Sequence, residues 1–413
     1  MSSWSAQDRQ ALRVALAGLV SLAVAMGLGR FAFTPILPMM LNDGLVDLPQ
    51  ASWLASSNYL GYLMGALACA LQPWIASRLG LQMDIGLATL VRVGLVGTSL
   101  LTLTMVMPTP WAWAWLRWGA GLTSALVSIY GSGWCLSQLN RLGRPNWGGL
   151  IYVGPGSGIL VSGLAATPMI AQGWPAPWAW LSMAALALIG TALAWPVLTG
   201  PQAMQERLAP PASDRAAPSA RRAGLLEPGL TVFGYGLAGF GYIISATFLP
   251  VIARQFLPES IWLDLFWPVF GLGVCTGALL STQLSPTRDR RTLLCVGFLV
   301  QAGGLTISLI SPSVTGFVVG SFLLGLPFTA LSFFAMQEAR RLRGGTAASF
   351  MGLLTATYGL GQVLGPLLVA WMLGLTDARG GFDRALATAC AALLTGAATF
   401  AYLRRRYPAA AVG

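Results

Sequence analysis

Long apolar runs dominate this sequence and constrain its fold more than any other feature. A helix needs about 20 mostly apolar residues to cross the hydrocarbon core of a bilayer, and such runs recur along the whole chain. Only 9% of the 413 residues are charged, whereas soluble domains carry about 25%. The runs are continuous rather than alternating, which favours helices over the strands of a membrane barrel. The sequence therefore predicts an all-α polytopic membrane protein.

Twelve of these runs are predicted to be transmembrane helices. Arg9, Arg13 and the apolar stretch after them imitate a signal peptide as far as Ala25. The stretch continues to Met40, however, so an uncleaved first span is the preferred interpretation. The predicted spans are 13–38, 52–76, 84–107, 111–136, 147–171, 177–199, 229–253, 262–284, 292–311, 314–337, 347–373 and 384–403.

The basic residues are distributed unevenly between the predicted connections. All 24 are arginine, and the formal net charge is +11. Alternate connections hold most of them, whereas the connections on the other side hold only Arg254, Arg379 and Arg384. By the positive-inside rule, this predicts a multi-pass membrane protein with both termini in the cytoplasm. The positive charge is then explained by membrane topology and by contact with anionic lipid, and it does not indicate binding of nucleic acid.

Several classes of site are excluded or unsupported by composition. The chain has no histidine, which excludes histidine metal sites, catalytic triads and histidine proton relays. Its five cysteines fall within apolar runs and have no metal-site or disulfide spacing. No phosphate-binding loop of the G-x-x-x-x-G-K-[ST] type is present. We therefore expect no enzyme activity, no cofactor, no metal and no drive by ATP.

A polar segment divides the chain into two halves. Residues 200–226 contain four prolines together with acidic residues and arginines, a composition typical of a flexible linker. The predicted organisation is an N-terminal six-helix bundle at 1–199, a cytoplasmic linker at 200–226 and a C-terminal six-helix bundle at 227–413.

The two halves resemble each other at a nearly constant offset. GLGRFAFTPILP, starting at Gly27, matches GFGYIISATFLP, starting at Gly239, 212 residues later. Gly-x-x-x-Gly-Ala-Leu at residues 61–67 recurs at 273–279, and Gly154-Pro155 recurs as Gly365-Pro366. An even number of spans per repeat gives both halves the same orientation. The repeat therefore predicts two parallel bundles with a solute site between them, exposed alternately to the two sides of the membrane.

These segments carry a family resemblance. Residues 27–40, 53–67, 239–250 and 355–366 resemble the major facilitator superfamily, and more narrowly its bacterial YbfB/YjiJ-type subfamily. The resemblance covers nearly the full length and implies a secondary transporter of a small solute in the plasma membrane. Related sequences are often described as sugar-efflux-like, but that substrate is not carried over.

Three superfamily motifs can be compared with the chain. The span-four motif is present as Arg117-x-x-x-Gly121, and the span-five motif as Gly154-Pro155. The loop between spans two and three keeps Arg78 and Gly80 but lacks the acidic residue and the second basic residue of the superfamily pattern. The corresponding loop in the second half keeps Asp289-Arg290. The resemblance therefore implies a gating charge pair in the second half and puts it in doubt in the first. The motif positions taken as gating or structural are Arg78, Gly80, Gly154, Pro155, Asp289, Arg290, Gly365 and Pro366.

Two arginines inside predicted spans are the leading candidates for solute binding. Arg30 and Arg117 are expected at similar depth, and no carboxylate lies deep in any predicted span. Intramembrane charges mostly face cavities, so Arg30 is interpreted as a cation that binds an anionic solute, with a structural arginine as the alternative. Arg117 is taken either as its partner or as a helix-packing residue of its motif. Arg92 is taken as a snorkelling structural residue.

Polar stripes on spans two and eleven provide further candidates. Asn58 lies on one helix face with Gly61, Tyr62 and Gly65, and Tyr358 and Gln362 lie on a corresponding face with Gly361 and Gly365. Asn58 and Gln362 are expected either to bind solute or to form interhelical hydrogen bonds. Tyr242 occupies the repeat position of Arg30. The candidate cavity residues are Arg30, Asn58, Arg117, Tyr242, Tyr358 and Gln362.

The sequence thus predicts a secondary active transporter that works by alternating access. The expected partners are a small-molecule substrate and the lipid bilayer, and the chain is expected to be a monomer. The substrate is expected to be either anionic or sugar-like, and efflux is the favoured direction. A proton is the coupling ion considered, although Asp84, Asp264 and Glu338 lie only at span ends. The alternative is a sensor or receptor that keeps a transporter scaffold without turnover.

Overall fold

The structure is a computed structural model that describes residues 5–79, 85–199, 225–258, 260, 262–284, 288–343 and 347–408. These residues form helices, with no strand among them. The predicted linker 200–226 lies almost wholly outside this part of the chain. The α-helices are α1 (Ala6–Leu22), α2 (Phe33–Asn42), α3 (Leu48–Leu79), α4 (Leu87–Thr104), α5 (Pro110–Leu126), α6 (Ser132–Arg141), α7 (Gly154–Ala171), α8 (Ala176–Ala194), α9 (Leu226–Phe256), α10 (Trp262–Gln283), α11 (Arg290–Ile310), α12 (Val314–Gly325), α13 (Phe328–Arg343), α14 (Ala347–Leu373) and α15 (Ala378–Arg406).

Several predicted spans are built from more than one helical segment. A π-helix at Ala23–Phe31 joins α1 to α2, and a shorter one at Val127–Gly131 joins α5 to α6. A 3₁₀-helix at Pro145–Val153 precedes α7. A turn at residues 326–327 separates α12 from α13, where Pro327 disfavours a helical conformation of the residue before it.

Eleven helices or helical runs among the described residues are long and apolar enough to cross a membrane. They match the predicted spans except the fourth. The predicted fourth span lies in the run from α5 to α6, which is helical but does not meet the same criterion. Arg117 and several glycine, serine and threonine residues reduce its apolar character.

The chain divides into two compact units. The first contains Met1–Val46 and Ser57–Leu208, and the second contains Asp47–Ser56 and Ala209–Gly413. In the first unit, the π-helix of span one packs on α7, and α4 packs on α5 and α8. In the second unit, α9 packs on α14, and α11 packs on α12 and α15. Spans at corresponding repeat positions therefore have corresponding neighbours within each unit.

Glycine contacts explain how spans one and five approach so closely. A Cβ on Gly27 would lie 2.3 Å from the Cα of Gly158, and a Cβ on Gly158 would lie 2.4 Å from the carbonyl oxygen of Ala23. Both clashes involve backbone, which cannot rotate away as a side chain can. In the second unit, a Cβ on Gly239 would lie 2.1 Å from the carbonyl oxygen of Tyr358. Small residues therefore set the spacing of both helix pairs.

We expect Gly27→Ala to lower the thermal stability of the detergent-purified protein. The added methyl group forces two backbones apart, and overpacking of this kind costs about 1–3 kcal/mol. Gly303→Ala is a matched control because nothing lies within 4 Å of a Cβ at that position in α11. The measurement is Tm by intrinsic fluorescence. Equal Tm values for the two variants would contradict the assignment of Gly27 as a contact glycine.

Candidate functional site

The π-helix of span one places Arg30 in the first unit. It runs for nine residues, Ala23–Phe31, and Arg30 lies in its last turn. Most π-helices are single-turn bulges, and they are frequently found at functional sites. One this long needs support from neighbouring groups, because its wider turns are less favourable than those of an α-helix.

Side chains from α5 supply that support. Arg117 is buried and donates from its two terminal nitrogens to the carbonyl oxygens of Gly29 at 3.1 Å and Arg30 at 2.9 Å. Ser124 lies two turns further along α5, and its hydroxyl donates to the carbonyl oxygen of Ala25 at 2.6 Å. Three carbonyls of the π-helix are thus held by one face of span four. The terminal nitrogens of Arg117 are engaged by backbone, which favours the structural alternative for this residue.

Aromatic rings surround the guanidinium of Arg30. The Arg30 Cζ lies 4.2 Å from the ring centroid of Tyr62, 5.0 Å from that of Tyr59 and 5.2 Å from that of Phe31. Arg30 itself is only 2% exposed. Cation–π attraction is worth about 2 kcal/mol or more when the cation is desolvated. The rings therefore offset part of the cost of holding a positive charge inside a span.

Asn58 lies beside this arrangement and joins spans two and four. Its side-chain nitrogen donates to the carbonyl oxygen of Arg117 at 2.8 Å. This is the interhelical hydrogen bond expected under the structural alternative. Its side-chain oxygen is buried and has no hydrogen-bond partner among the described residues, so it is the part of Asn58 available as an acceptor for a donor group.

The second unit brings together three tyrosines at the other candidate positions. Tyr358 stacks on Tyr235 with ring centroids 4.9 Å apart and on Tyr242 with centroids 5.9 Å apart. The amide nitrogen of Gln362 donates to the hydroxyl oxygen of Tyr242. The hydroxyl of Tyr235 donates to Ser332 at 2.9 Å. Three of the predicted residues, Tyr242, Tyr358 and Gln362, are therefore one connected group of rings and polar atoms.

A buried ion cluster in the second unit is centred on Arg291, a residue that the sequence did not single out. Arg291 is fully buried at the start of α11 and pairs with Glu227 of α9 and, at 2.6 Å, with Glu338 of α13. Arg341 also pairs with Glu338, at 2.7 Å, and with Glu227, at 3.1 Å. Arg291 further donates to the carbonyl oxygens of Leu403 and Tyr407 near the end of α15. The cluster of Glu227, Arg291, Glu338 and Arg341 joins four spans of this unit.

The comparisons with known proteins agree with this architecture. The profile of the family described as "Uncharacterised MFS-type transporter YbfB" matches residues 22–401. The chain belongs to this major facilitator family. No curated protein matches the sequence. Crystal structures of the nucleoside transporter NupG and of one of its point mutants have a similar fold. Membership of the family identifies the chain as a transporter rather than an enzyme. The mutant has a TM-score of 0.72 at 11% identity and covers 94% of this chain and 99% of its own. The other has a TM-score of 0.67 at 13% identity and covers 95% and 98%.

The major facilitator motif residues have distinct positions in the structure. Asp289 caps the start of α11 by accepting from the backbone nitrogens of Arg291 and Thr292, and lies 3.8 Å from Arg404. Arg290 donates to Gln337 at 2.9 Å. In this structure Asp289 caps the helix and Arg290 lies beside it, whereas the adjacent Arg291 holds the buried carboxylates. The gating role implied for Asp289 and Arg290 stays a prediction. Nothing in the local sequence distinguishes Arg291 from Arg290, since only packing places one of them inside.

The remaining motif positions are consistent with packing roles. Arg78 is exposed and lies over the ring of Trp74 at 5.5 Å, whereas Gly80 lies outside the described residues. A Cβ on Gly154 would lie 2.4 Å from the carbonyl oxygen of Leu19, and one on Gly365 would lie 2.4 Å from the Ile243 side chain. Pro155 stands in the first turn of α7, and Pro366 lies inside α14.

Arg92 has a contact that the sequence did not specify. It donates to the carbonyl oxygen of Trp195 at 3.0 Å and lies over that ring at 4.6 Å. A cation at this place satisfies a carbonyl at the C-terminal end of α8. This contact favours the structural interpretation of Arg92.

Proposed function

We propose that this membrane transporter is a secondary active carrier of a small organic anion, working by alternating access of two six-helix repeats. The family membership and the NupG-like fold support transport, and the recurring neighbours within each unit support twelve spans in two repeats. The observation that carries the substrate class is Arg30, a buried cation inside a span, set on a long π-helix. A charge in this position costs free energy, and charged residues inside spans mostly have a function.

Each unit offers a different kind of recognition. The first provides the charge of Arg30 and the oxygen of Asn58. The second provides aromatic faces and the paired polar groups of Tyr242 and Gln362. Aromatic faces suit the body of a ring-bearing or sugar-like solute, and a charged guanidinium suits a carboxylate or a phosphate. The first set alone favours an anion, and the second set alone favours a ring-bearing or polyhydroxyl solute.

A neutral ring-bearing solute is the second candidate. The stacked tyrosines of the second unit favour it, and the nucleoside transporter NupG has a similar fold. The two candidates differ in their dependence on Arg30. Binding of a neutral solute depends on the tyrosines, whereas binding of an anion depends on the guanidinium.

We further propose that the protein lies in the bacterial inner membrane as a monomer, with both termini in the cytoplasm and efflux as the direction. The arginine distribution supports the topology. The described buried carboxylates, Glu227, Asp264 and Glu338, each pair with an arginine. A proton-coupled cycle that used one of these carboxylates would require its ion pair to open.

The deciding experiment is counterflow in proteoliposomes. Vesicles containing the purified protein are loaded with individual sugar acids, sugar phosphates, nucleosides or neutral sugars, and exchange of labelled solute is measured with and without a pH gradient. We expect exchange of anionic members. Exchange of neutral members alone would favour the second candidate. Tight ligand binding without exchange of any member would favour a sensor that keeps the transporter scaffold.

The Tyr358 ring provides a separate prediction for the second unit. We expect Tyr358→Ala to reduce exchange of a ring-bearing solute about five- to 150-fold, because stacking on a planar ring is worth about 1–3 kcal/mol. Tyr402→Ala is the matched control, since Tyr402 is an exposed residue of α15 outside the tyrosine group. The measurement is the initial exchange rate per folded protein. Equal exchange rates for the two variants would show that the tyrosine group is not part of the solute-binding site.

A further inference from the structure

Span ten is interrupted by a turn at residues 326–327, and a side chain of span nine is bonded beside that turn. Pro327 has no N–H, so the carbonyl of Leu323 lacks the partner that a continuous helix would provide. The last carbonyls of an α-helix also need partners from outside the helix. At the end of α12, the carbonyl oxygen of Leu324 accepts from the side-chain amide of Gln301 at 3.2 Å. Gln301 therefore caps the first half of the interrupted span.

Span nine packs on span ten on both sides of the turn. A Cβ on Gly304 of α11 would lie 2.7 Å from the carbonyl oxygen of Gly320 in α12. A Cβ on Gly297, also in α11, would lie 2.7 Å from the side chain of Leu331 in α13. Gln301 lies between these two glycines at helical spacing, on the same face of α11. It is therefore placed to hold the two halves of span ten in their relative positions.

The contribution of Gln301 to stability does not explain its place in the middle of a span. The side chain is 1% exposed, and its amide oxygen has no hydrogen-bond partner among the described residues. A buried polar atom without a partner costs free energy, whereas one interhelical hydrogen bond contributes little on average. A leucine of similar size would avoid that cost. The hydrogen bond to Leu324 is therefore better explained by the geometry that it imposes on span ten.

The start of α13 holds two rings of the tyrosine group, which consists of Tyr235, Tyr242 and Tyr358. Phe328 and Ser332 are four residues apart and lie on one face of α13. The ring of Phe328 lies edge-on to that of Tyr242, with centroids 5.0 Å apart, and Ser332 accepts from the hydroxyl of Tyr235 at 2.9 Å. Tyr358, which is partly exposed, stacks on both of these tyrosines. The position of this helix face therefore determines where the rings beside Tyr358 lie.

We propose that Gln301 is a positioning residue for the solute site of the second unit. It fixes the end of α12 and the turn after it, and thereby the face of α13 that holds Tyr235 and Tyr242. Tyr358 then presents its ring in a fixed orientation. This inference rests on the proposed function, in which the tyrosine group binds the ring of a solute. Gln301 itself does not touch the solute and acts through α13.

The first test is fluorine NMR of the full-length, detergent-purified protein labelled with 3-fluorotyrosine, in which signals are assigned by single Tyr→Phe substitutions. We expect Gln301→Leu to change the chemical shifts of Tyr242 and Tyr358 and to leave that of the exposed Tyr402 unchanged. The matched control is Thr306→Val, which removes a hydroxyl of α11 that bonds within α11 and with α15. Equal shifts of Tyr242 and Tyr358 in the two variants would overturn the proposal. Gln301→Met provides the same comparison where Gln301→Leu does not fold.

The second test is the KM for exchange of a ring-bearing solute in proteoliposomes. Gln301→Leu should raise this KM at least about threefold, in the range of couplings measured between contacting residues, and should leave Tm close to that of Thr306→Val. In a Tyr358→Ala background, Gln301→Leu should have no further effect on KM. A lower Tm with an unchanged KM would show that Gln301 is only a structural residue and would contradict the proposal.

Failure of the proposed function has a different signature. If Tyr358→Ala leaves exchange unchanged, the tyrosine group is not the solute site, whereas the fluorine shifts still decide whether Gln301 positions its rings. If Tyr358→Ala slows exchange and Gln301→Leu matches the Thr306→Val control in KM, the solute site stands and the role of Gln301 is wrong.

Discussion

Arg291→Met should produce the largest loss of stability of any single substitution in the ion cluster. The four charges of Glu227, Arg291, Glu338 and Arg341 balance, and removal of Arg291 leaves a net negative charge in a buried place. Breaking a buried pair by removing one partner costs about 3–5 kcal/mol, mainly because the other charge stays buried. The carbonyls of Leu403 and Tyr407 lose a donor at the same time. We expect a large drop in Tm in detergent and a lower yield of monodisperse protein.

Two controls distinguish burial from charge alone. Arg341→Gln removes the same charge, but the Arg341 side chain is 31% exposed, so water screens the remaining carboxylates and the loss should be smaller. Arg404→Gln removes an exposed partner of Asp289 at 3.8 Å, and exposed pairs are worth about 0–1 kcal/mol. The expected order of Tm loss is Arg291, then Arg341, then Arg404. An equal loss at Arg291 and Arg404 would show that Arg291 is not a buried ion-pair residue in the folded protein.

Charge-compensated variants sharpen the same prediction. Arg291→Met combined with Glu227→Gln removes one negative charge together with the arginine and leaves Glu338 paired with Arg341 at 2.7 Å. Replacement of a buried ion pair by neutral groups is often neutral or stabilising. We therefore expect the double variant to recover much of the Tm lost by Arg291→Met. Additive losses would contradict the electrostatic explanation.

Arg30→Gln should abolish transport of an anionic solute while leaving the fold intact. An arginine inside a span costs about 2.5–3.5 kcal/mol on insertion scales, and cation–π contacts return about 2 kcal/mol or more. Because the cost and the return are of similar size, Tm should change little. The functional loss should be at least about 100-fold, since a charge-assisted bidentate contact with the solute disappears. The measurements are counterflow rate and Tm on the same preparation.

Arg117→Gln provides the opposite pattern. The Arg117 guanidinium donates to two carbonyls of the π-helix, and its loss should lower Tm by the equivalent of about 2 kcal/mol or more. Transport should fall because the π-helix is less well supported, and lower temperature should restore part of it. If Arg30→Gln lowered Tm and left the exchange of an anion unchanged, Arg30 would be a structural residue. The proposed role of Arg30 in solute binding would then be wrong.

The membrane class, most span positions and the family follow from sequence because they depend on patterns local in the chain. Long apolar runs predict spans whatever their neighbours, and the glycines near residues 27 and 239 repeat in order. The tyrosine and glutamine group was also partly predictable, since Tyr358 and Gln362 lie on one face of a helix. All of these signals are periodic or repeated.

The roles of the arginines could not be predicted in the same way. Arg290 and Arg291 are adjacent and chemically identical, and only the packing of α9, α13 and α15 decides which one is buried. The sequence suggested that Arg30 and Arg117 bind one anion together. In the structure, however, the terminal nitrogens of Arg117 donate to backbone carbonyls of span one. The change from α- to π-helix at Ala23 that exposes those carbonyls has no sequence signature beyond two glycines and the small residues around them.

That π-helix also determines the direction in which Arg30 points. Successive residues of an α-helix are separated by about 100° around the axis. Each hydrogen bond of a π-helix spans one residue more than that of an α-helix, so this angle is smaller in a π-helix. If one π-turn returned to α-helical geometry, everything beyond it would rotate about the axis with little change in the path of the span. The hydrogen bonds from Arg117 and Ser124 of span four to span one therefore oppose this rotation. If they broke, the Arg30 guanidinium could turn to a different face of the helix.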